Sequence, residues 1–241
     1  ILKSINKPEY GLIATQLESW RGDHGKEQTE PTIYYNMLSQ IMRQAMADEI
    51  SHKAFESIAA TSLLKNSYEQ FIGNENSPWW DNKNTEPKET RAVIVESAAA
   101  RTIELLTSIY GKNPEDWKWG KIHTLTHKHA FDAVKPLRSF FNVGPFEVPG
   151  GSEVINNLFF SLDSTGYFNV DGGPALRKIT DFSNIENGET VSPTGQSGNV
   201  MSAHYSDQAE MFATGKFRKM LMNRKEIELK SKTLLLKPQV N

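Results

Sequence analysis

"TIYYNMLSQIMRQAMADEI", residues 32–50, decides the fold class because its apolar residues recur at helical spacing. These apolar residues are Ile33, Met37, Leu38, Ile41, Met42, Ala45, Met46 and Ile50. Residues three, four and seven positions apart share one face of an α-helix, so the stretch predicts a long helix with a buried face. Helical character continues to residue 72, and we expect a break near Ser51.

The next segment toward the C-terminus, residues 74–90, is dense in Asn, Pro and charged residues, which favours a loop. Trp79 and Trp80 lie inside it, so we expect them to cover an apolar surface. Residues 89–109 then resume helical spacing and predict another helix.

The second half of the chain contains strand signals. Residues 152–160, "SEVINNLFF", are rich in strand formers, and residues 226–239 are expected to form a terminal strand. The pair Asn187 and Gly188 lies between two further segments and is typical of a β-hairpin.

One short helix is predicted among these strands, over residues 206–221. Ser206 or Asp207 is expected to cap it, and Gly215 lies near its end. Strands therefore follow helices, and the order predicts an α+β fold that is helix-rich over about residues 1–115 and strand-rich over about residues 116–241.

Composition limits the classes of function. The 241 residues are 38% hydrophobic, which is ordinary for a globular chain. Lys and Arg total 27 against 29 Asp and Glu, so the formal net charge is −2 and a nucleic-acid partner is not expected. The chain has no cysteine, which excludes disulfides and thiolate chemistry. No stretch approaches the roughly 20 apolar residues that cross a bilayer.

A serine between glycines stands out in "PTGQSGNVMSAHYSDQ", residues 193–208. An esterase-type nucleophile elbow needs Gly-x-Ser-x-Gly between a strand and a helix. Gly195 precedes Ser197 at the right distance, but Asn199 stands where the second glycine belongs. The helix predicted from residue 206 also begins too late for an elbow.

A Ser-His-Asp triad would have to use His204 and Asp207, which follow Ser197 within about ten residues and leave no room for intervening strands. The sequence instead favours a structural turn, in which Gly195 and Gly198 supply the bends and His204 packs.

Three histidines, His123, His127 and His129, fall within seven residues, and Asp132 is close. His127 and His129 would share one side of a strand, as metal ligands can. No carboxylate completes a recognisable metal-site spacing, so structural histidines are the favoured interpretation and metal-dependent hydrolysis is the alternative.

A second alternative is a noncatalytic ligand-binding module. Its ligand would lie on an exposed aromatic platform of Trp79, Trp80, Trp117 and Trp119. Aromatic side chains more often fill a core, which is the favoured interpretation of these four residues.

Taken together, several segments resemble, in order, blocks of the C-terminal part of penicillin acylase family enzymes. The segments are residues 117–129, 143–156, 173–184 and 193–217, with a weaker likeness at "LESWRGDHG", residues 17–25. The last block matches at Gln196, Ser197, Gly198, Asn199, Ser202, His204, Tyr205, Asp207 and Gln208. Thr194 and Val200 depart from the family's usual Gly and Pro, and Phe212 stands where Trp is common.

The resemblance implies the C-terminal portion of the four-layer αββα fold of N-terminal nucleophile hydrolases, over residues 1–241. Such enzymes hydrolyse linear amides and release an acyl group from an amine, on β-lactam or acyl-homoserine lactone type substrates. They arise from a precursor that cuts itself into an α and a β chain. The nucleophile is the first residue of the β chain, normally Ser, and its own α-amino group is the base.

No catalytic position of the family carries over onto this chain, because the nucleophile and oxyanion-hole donors precede the matched region and Ile1 has no nucleophilic side chain. The resemblance therefore implies no catalytic, cofactor-binding or metal-binding residue here, and no cofactor. It implies a scaffold whose partners are the α chain and the N-terminal part of the β chain. The expected location is the periplasm or the cell exterior.

Overall fold

The computed structural model describes residues 5, 8–162, 165–232, 234 and 236–237. Helices dominate the first half, and all the strands among the described residues lie after residue 123, together with three short helices, which confirms the α+β class and the predicted order. The helices are α1 (Gly11–Ser19), α2 (Glu30–Ile50), α3 (His52–Ala59), α4 (Ser62–Gly73), α5 (Arg91–Tyr110), α6 (Trp119–Ile122), α7 (Lys135–Phe141), α8 (Ala209–Ala213) and α9 (Arg224–Lys230).

The break predicted near Ser51 is confirmed. Ser51 has a φ of 71°, in the left-handed region, which ends α2. Its hydroxyl then accepts from the Ala54 backbone N–H at 3.4 Å and caps α3. The same residue therefore stops one helix and starts the next.

The main core forms where α2 packs against α5. Buried residues of α2 include Ile33, Ile41 and Met42, and α5 contributes Val95 and Leu106, all at most 3% exposed. These residues recur at helical spacing, so the pattern that predicted both helices also builds their contact.

The loop predicted over residues 74–90 is present, with one short 3-10 turn at Pro78–Trp80. Trp80 is buried and packs against Phe71, with ring centroids 4.2 Å apart. The two tryptophans therefore differ in burial, since Trp80 covers the core as predicted whereas Trp79 is 37% exposed.

The strands are β1 (Thr124–His127), β2 (Val143–Glu147), β3 (Arg177–Ile179), β4 (Glu189–Val191) and β5 (Arg218–Lys219). β1 pairs with β2, and β3, β4 and β5 form an antiparallel sheet with β4 in the centre. In that sheet Arg177 lies opposite Val191 and Glu189 lies opposite Lys219.

The strand predicted over residues 152–160 is wrong. The segment makes only isolated bridges, between Gly151 and Asn157 and between Phe159 and Gly172. A φ of 93° at Gly150 turns the chain sharply just before the segment. The Leu158 carbonyl contacts a histidine ring instead of the backbone of a neighbouring strand. A segment rich in strand-forming residues thus adopts an irregular conformation.

The hairpin at Asn187 and Gly188 is correct in its connectivity and wrong in its turn. β3 and β4 pair as expected, but a longer connection containing a 3-10 turn, Ile185–Asn187, replaces the two-residue turn.

The helix predicted over residues 206–221 is shorter than expected. Only α8 forms, and Gln208 precedes it without a side-chain cap, so the expected capping by Ser206 or Asp207 is wrong. Gly215, with a φ of 70°, follows the helix and redirects the chain before β5.

The terminal strand predicted over residues 226–239 is wrong in its first part, which belongs to α9. The Asn223 side chain accepts from the Lys225 backbone N–H at 3.0 Å, and Arg224 pairs with Glu228 one turn later at 2.8 Å. A cap and an i,i+4 ion pair therefore outweigh the strand pattern. Residues 233, 235, 238 and 239 of that prediction lie outside the described residues.

Two compact units divide the chain. The first comprises residues 1–126 and 145–173 and contains α1–α6, and the second comprises residues 127–144 and 174–241 and contains α7–α9 and the three-stranded sheet. Within the described residues, none of the helices combines the length and apolar character that a membrane span requires.

Candidate functional site

The segment singled out in the sequence, residues 193–208, connects β4 to α8 in the second unit. It folds back on itself, because Gly195 N donates to Tyr205 O at 2.8 Å and Ser197 N donates to His204 O at 3.0 Å. A Cβ at Gly195 would collide with the His204 carbonyl, so only glycine fits there. The predicted structural turn is thus present, between a sheet strand and the next helix, but the expected packing of His204 is wrong because its side chain is exposed.

The matched residues at the base of this segment hold it in place. Gln208 is 2% exposed and its side-chain oxygen accepts from Ser192 N at 3.0 Å. The Tyr205 hydroxyl donates to the Phe141 carbonyl at 2.6 Å, which ties the segment to the end of α7. Gln208 and Tyr205, two of the residues that match the family block, therefore have structural roles.

Ser197 lacks the surroundings of a triad serine. His204 Nδ1 lies 2.8 Å from Asp207 Oδ2, so an acid–imidazole pair exists. The His204 side chain is, however, 74% exposed. A triad also needs the other ring nitrogen against the serine hydroxyl. In the described part of the chain, the Ser197 hydroxyl instead accepts from Asn199 N at 3.1 Å, and it is the His204 backbone that contacts Ser197.

His123 is a buried residue of the first unit, with no exposed surface. Its Nδ1 lies 3.1 Å from the Val148 carbonyl and its Nε2 lies 3.0 Å from the Leu158 carbonyl. A neutral imidazole has one N–H and can donate to only one of them. Burial nevertheless lowers the pKa of His123, because desolvation of the cation outweighs the two carbonyls that favour it.

The histidine cluster does not form a metal site. His129 Nδ1 accepts from Phe131 N at 3.1 Å, and its ring stacks on Phe141. His127 contacts Phe212 edge to face, and burial lowers its pKa. Among the described residues, no three His, Asp or Glu side chains come together as metal ligands, which removes the geometric basis of the metal-dependent alternative.

The prediction of an exposed aromatic platform is wrong. Trp80, Trp117 and Trp119 are at most 2% exposed, and each indole N–H donates to a backbone carbonyl at 2.8–2.9 Å. Only Trp79 of the four reaches solvent, at 37% exposure. Three of the tryptophans are therefore core residues, and the binding-module alternative loses its surface.

Sequence reasoning missed the role of His24 and Tyr35. His24 Nδ1 lies 2.7 Å from the Gly22 carbonyl, which can only accept, so Nδ1 carries the proton. His24 Nε2, 2.9 Å away from Tyr35, then accepts from the tyrosine hydroxyl. Burial lowers the pKa of His24 and raises the pKa of Tyr35, so both are neutral near pH 7.

Three family-like segments meet around this pair. Gly150 N donates to His24 O at 2.8 Å, and Trp119 N donates to Gln28 O at 2.7 Å. Tyr35 stacks against Trp119 with ring centroids 5.4 Å apart. The segment at residues 17–25 carried the signal, since His24 lies within it, but spacing alone did not show its partners.

A cavity of about 540 Å³, here called the α2–α4 cavity, lies in the same unit. Its apolar lining comprises Leu17, Trp20, Met37, Leu38, Ile41 and Ile72. Its polar lining comprises Tyr34, Tyr68, Glu69 and Arg91. An apolar space of this volume with a few polar groups has the properties of a small-molecule pocket.

The comparisons define the class of protein. Residues 3–229 match the family model described as penicillin amidase, so the chain belongs to the penicillin amidase family of amide hydrolases.

Individual relatives carry more specific names. The chain is 26% identical over 220 residues to the acyl-homoserine lactone acylase QuiP of Pseudomonas syringae pv. syringae, covering 89% of this chain and 26% of the relative. To QuiP of Pseudomonas aeruginosa it is 25% identical over 224 residues, covering 84% of this chain and 26% of the relative. The chain thus spans about a quarter of the length of these curated relatives.

One solved structure is also similar, the thermostable penicillin G acylase from Alcaligenes faecalis. The match has a TM-score of 0.49 and 18% identity, and it covers 99% of this chain and 46% of that chain.

Proposed function

We propose that this chain is the C-terminal part of the β chain of an enzyme that hydrolyses a linear amide and releases an acyl group from an amine. The observation that carries the proposal is the penicillin amidase match over residues 3–229. Amides of the acyl-homoserine lactone or β-lactam side-chain type are the proposed substrates. The names of the curated relatives support the first type.

The proposed role of residues 1–241 is to complete the scaffold, while the nucleophile lies on another part of the precursor. The contacts of the family-like segments support this role, because they serve packing and turns. Trp119 donates to the Gly150 carbonyl inside the core, and Gly195 admits the close approach of the His204 backbone. Ser197, whose hydroxyl accepts from a backbone N–H, is proposed to have no catalytic task.

The proposed partners are the α chain and the N-terminal part of the β chain, made with this chain as one self-processing precursor. We further propose the periplasm or the cell exterior as its location. Both proposals rest on the match to the penicillin amidase family over residues 3–229.

The test is intact mass spectrometry with terminal sequencing on the natively produced protein, combined with an assay of amine release from acyl amides. The proposal predicts a β chain that begins with Ser and contains this sequence, together with an α chain and amide hydrolysis. A mature product consisting of residues 1–241 alone, with full amidase activity, would overturn it.

A further inference from the structure

Residues 128–141 form a projecting segment of the second unit. They comprise a short 3-10 turn, Ala130–Ala133, and α7, and these two elements pack against each other. None of the residues of the segment is buried. The Tyr205 hydroxyl donates to the Phe141 carbonyl and holds the end of α7. The segment is therefore fixed at one end while most of its side chains reach solvent.

The exposed apolar residues of this segment form a surface, here called the α7 patch. They are Phe131, Val134 and Phe140, which are 48%, 50% and 53% exposed. The rings of Phe131 and Phe140 both contact the ring of Phe141, with centroids 5.2 Å and 5.1 Å away. Because the two exposed rings share one neighbour, they make a continuous aromatic surface. Its apolar area favours association with an apolar partner.

The charge around the α7 patch is positive, although the net charge of the chain is −2. Residues 128–141 contain three basic residues, Lys128, Lys135 and Arg138, and one acidic residue, Asp132. Asp132 is already engaged, because its Oδ1 lies 3.5 Å from Arg138 Nε and accepts from Asn142 Nδ2 at 2.7 Å. The two exposed lysines are therefore the charges that remain to attract a partner, and that partner must be anionic.

Exposed aromatic rings beside lysines favour a lipid surface over a protein partner. Protein interfaces are rich in aromatic residues but depleted in Lys. At a bilayer, aromatic side chains enter the boundary between head groups and acyl chains, and the long lysine side chains reach the charged head groups. Each Lys near an anionic leaflet adds to the attraction. A projecting segment without buried residues also suits a soft and flat surface better than a groove.

We propose that the α7 patch binds the surface of a bilayer that contains anionic phospholipid. Phe131 and Phe140 enter the interface, and Lys128 and Lys135 contact the head groups. The contact is peripheral and involves the folded protein. It is independent of the amide hydrolysis proposed above, because none of these residues has a role in that reaction.

The first variant removes the two exposed rings, by Phe131→Ser together with Phe140→Ser. Phe182→Ser is its control, because Phe182 is 87% exposed in the same unit but lies outside the segment. Loss of an exposed phenylalanine elsewhere should leave lipid binding unchanged.

The second variant reverses the charge, by Lys128→Glu together with Lys135→Glu. Lys216→Glu with Lys225→Glu is its control, since both of these lysines are exposed in the same unit but lie outside the segment. The two double variants change the net charge equally. A difference between them therefore reports on the position of the lysines.

The experiment is co-sedimentation of the full-length protein with phosphatidylcholine vesicles that contain or lack phosphatidylglycerol. We expect binding that requires phosphatidylglycerol and decreases with added salt. Each variant of the patch should weaken binding by about tenfold or more, and both controls should stay within about twofold of the parent protein. Thermal melting of every variant shows whether the fold is kept, and the lysine variant decides if the phenylalanine variant fails to fold.

Absence of binding to the phosphatidylglycerol vesicles would overturn the proposal, and so would equal binding of the patch variants and their controls. A folded phenylalanine variant that binds like the parent, while the lysine variant does not, would overturn the insertion of the rings. A parent protein that binds no vesicles, and that the phenylalanine variant destabilises, would show that another part of the precursor covers the patch.

Discussion

The imidazole of His123 lies flat on the indole of Trp119, with ring centroids 4.7 Å apart and ring planes 12° apart. The two residues are four positions apart, and neither has exposed surface. His123 contacts the carbonyls of Val148 and Leu158, and Trp119 donates to the carbonyl of Gly150. The pair thus anchors the irregular segment around residues 148–158 to the core.

Removal of the imidazole tests this anchoring. His123→Ala is expected to lower the free energy of unfolding by about 2–4 kcal/mol, because it leaves a cavity and removes the ring N–H that donates to one of these carbonyls. His52→Ala is the control, since His52 is exposed and its loss should change stability by less than about 0.5 kcal/mol. Chemical denaturation of the full-length protein measures both, and equal small effects would contradict the anchoring role.

The pKa of His123 makes stability depend on pH. Because burial lowers the pKa in the folded state below the ordinary value of 6.5, the unfolded chain binds the proton more readily. The contribution of His123 is therefore fully present above about pH 6.5 and is lost as pH falls toward the lower folded pKa.

The measurement is the unfolding free energy between about pH 8 and about pH 5, compared with His123→Phe. We expect a weaker dependence on acid in the variant. Some dependence will persist, because burial also lowers the pKa of His24 and His127. Identical pH profiles for the parent protein and His123→Phe would count against the predicted shift.

A pair of glycines tests the turn before the irregular segment. Gly150 has a φ of 93°, and an added Cβ would collide with the Asn156 backbone. Gly22 has a similar φ of 86° but open space around the added atom. Gly22→Ala should cost only the strain of about 1–2 kcal/mol. Gly150→Ala should cost clearly more, as thermal melting will show, and equal melting temperatures would contradict the close approach.

Prediction from sequence succeeded where a single element supplied its own signal. α2 and α5 bury a face that repeats at helical spacing, and Ser51 ended α2 near the expected place. It failed where distant partners decided the backbone. Residues 152–160 have the composition of a strand, but the carbonyl of Leu158 contacts His123, which is 35 residues away in sequence.

The same difference between local signals and distant partners applies to the candidate sites. The spacing around Ser197 was enough to argue against an elbow, because that motif is local. The hydrogen bond between His24 and Tyr35 depends on how α1, α2 and α4 pack together, and so does the cavity beside α2. Sequence spacing showed the apolar face of α2 but could not show that part of this face lines an open space.

A second pair of glycines tests the structural interpretation of residues 193–208. Gly195→Ala should destabilise the second unit and lower amide hydrolysis through misfolding, because the added Cβ would strike the His204 carbonyl. Gly198→Ala should be tolerated, since no described atom lies within 4 Å of its added Cβ. Hydrolysis rates and thermal melting are measured together, and equal tolerance of both variants would contradict this interpretation.

The central claim is that residues 1–241 support an amide hydrolase without supplying its nucleophile. The most direct measurement treats the full-length, active protein with a serine-directed sulfonyl fluoride and maps the modified peptide by mass spectrometry. We expect inactivation with the label on a residue outside this sequence, and we expect Ser197→Ala to retain both the label and the activity. A label on Ser197, lost together with activity in Ser197→Ala, would contradict the claim.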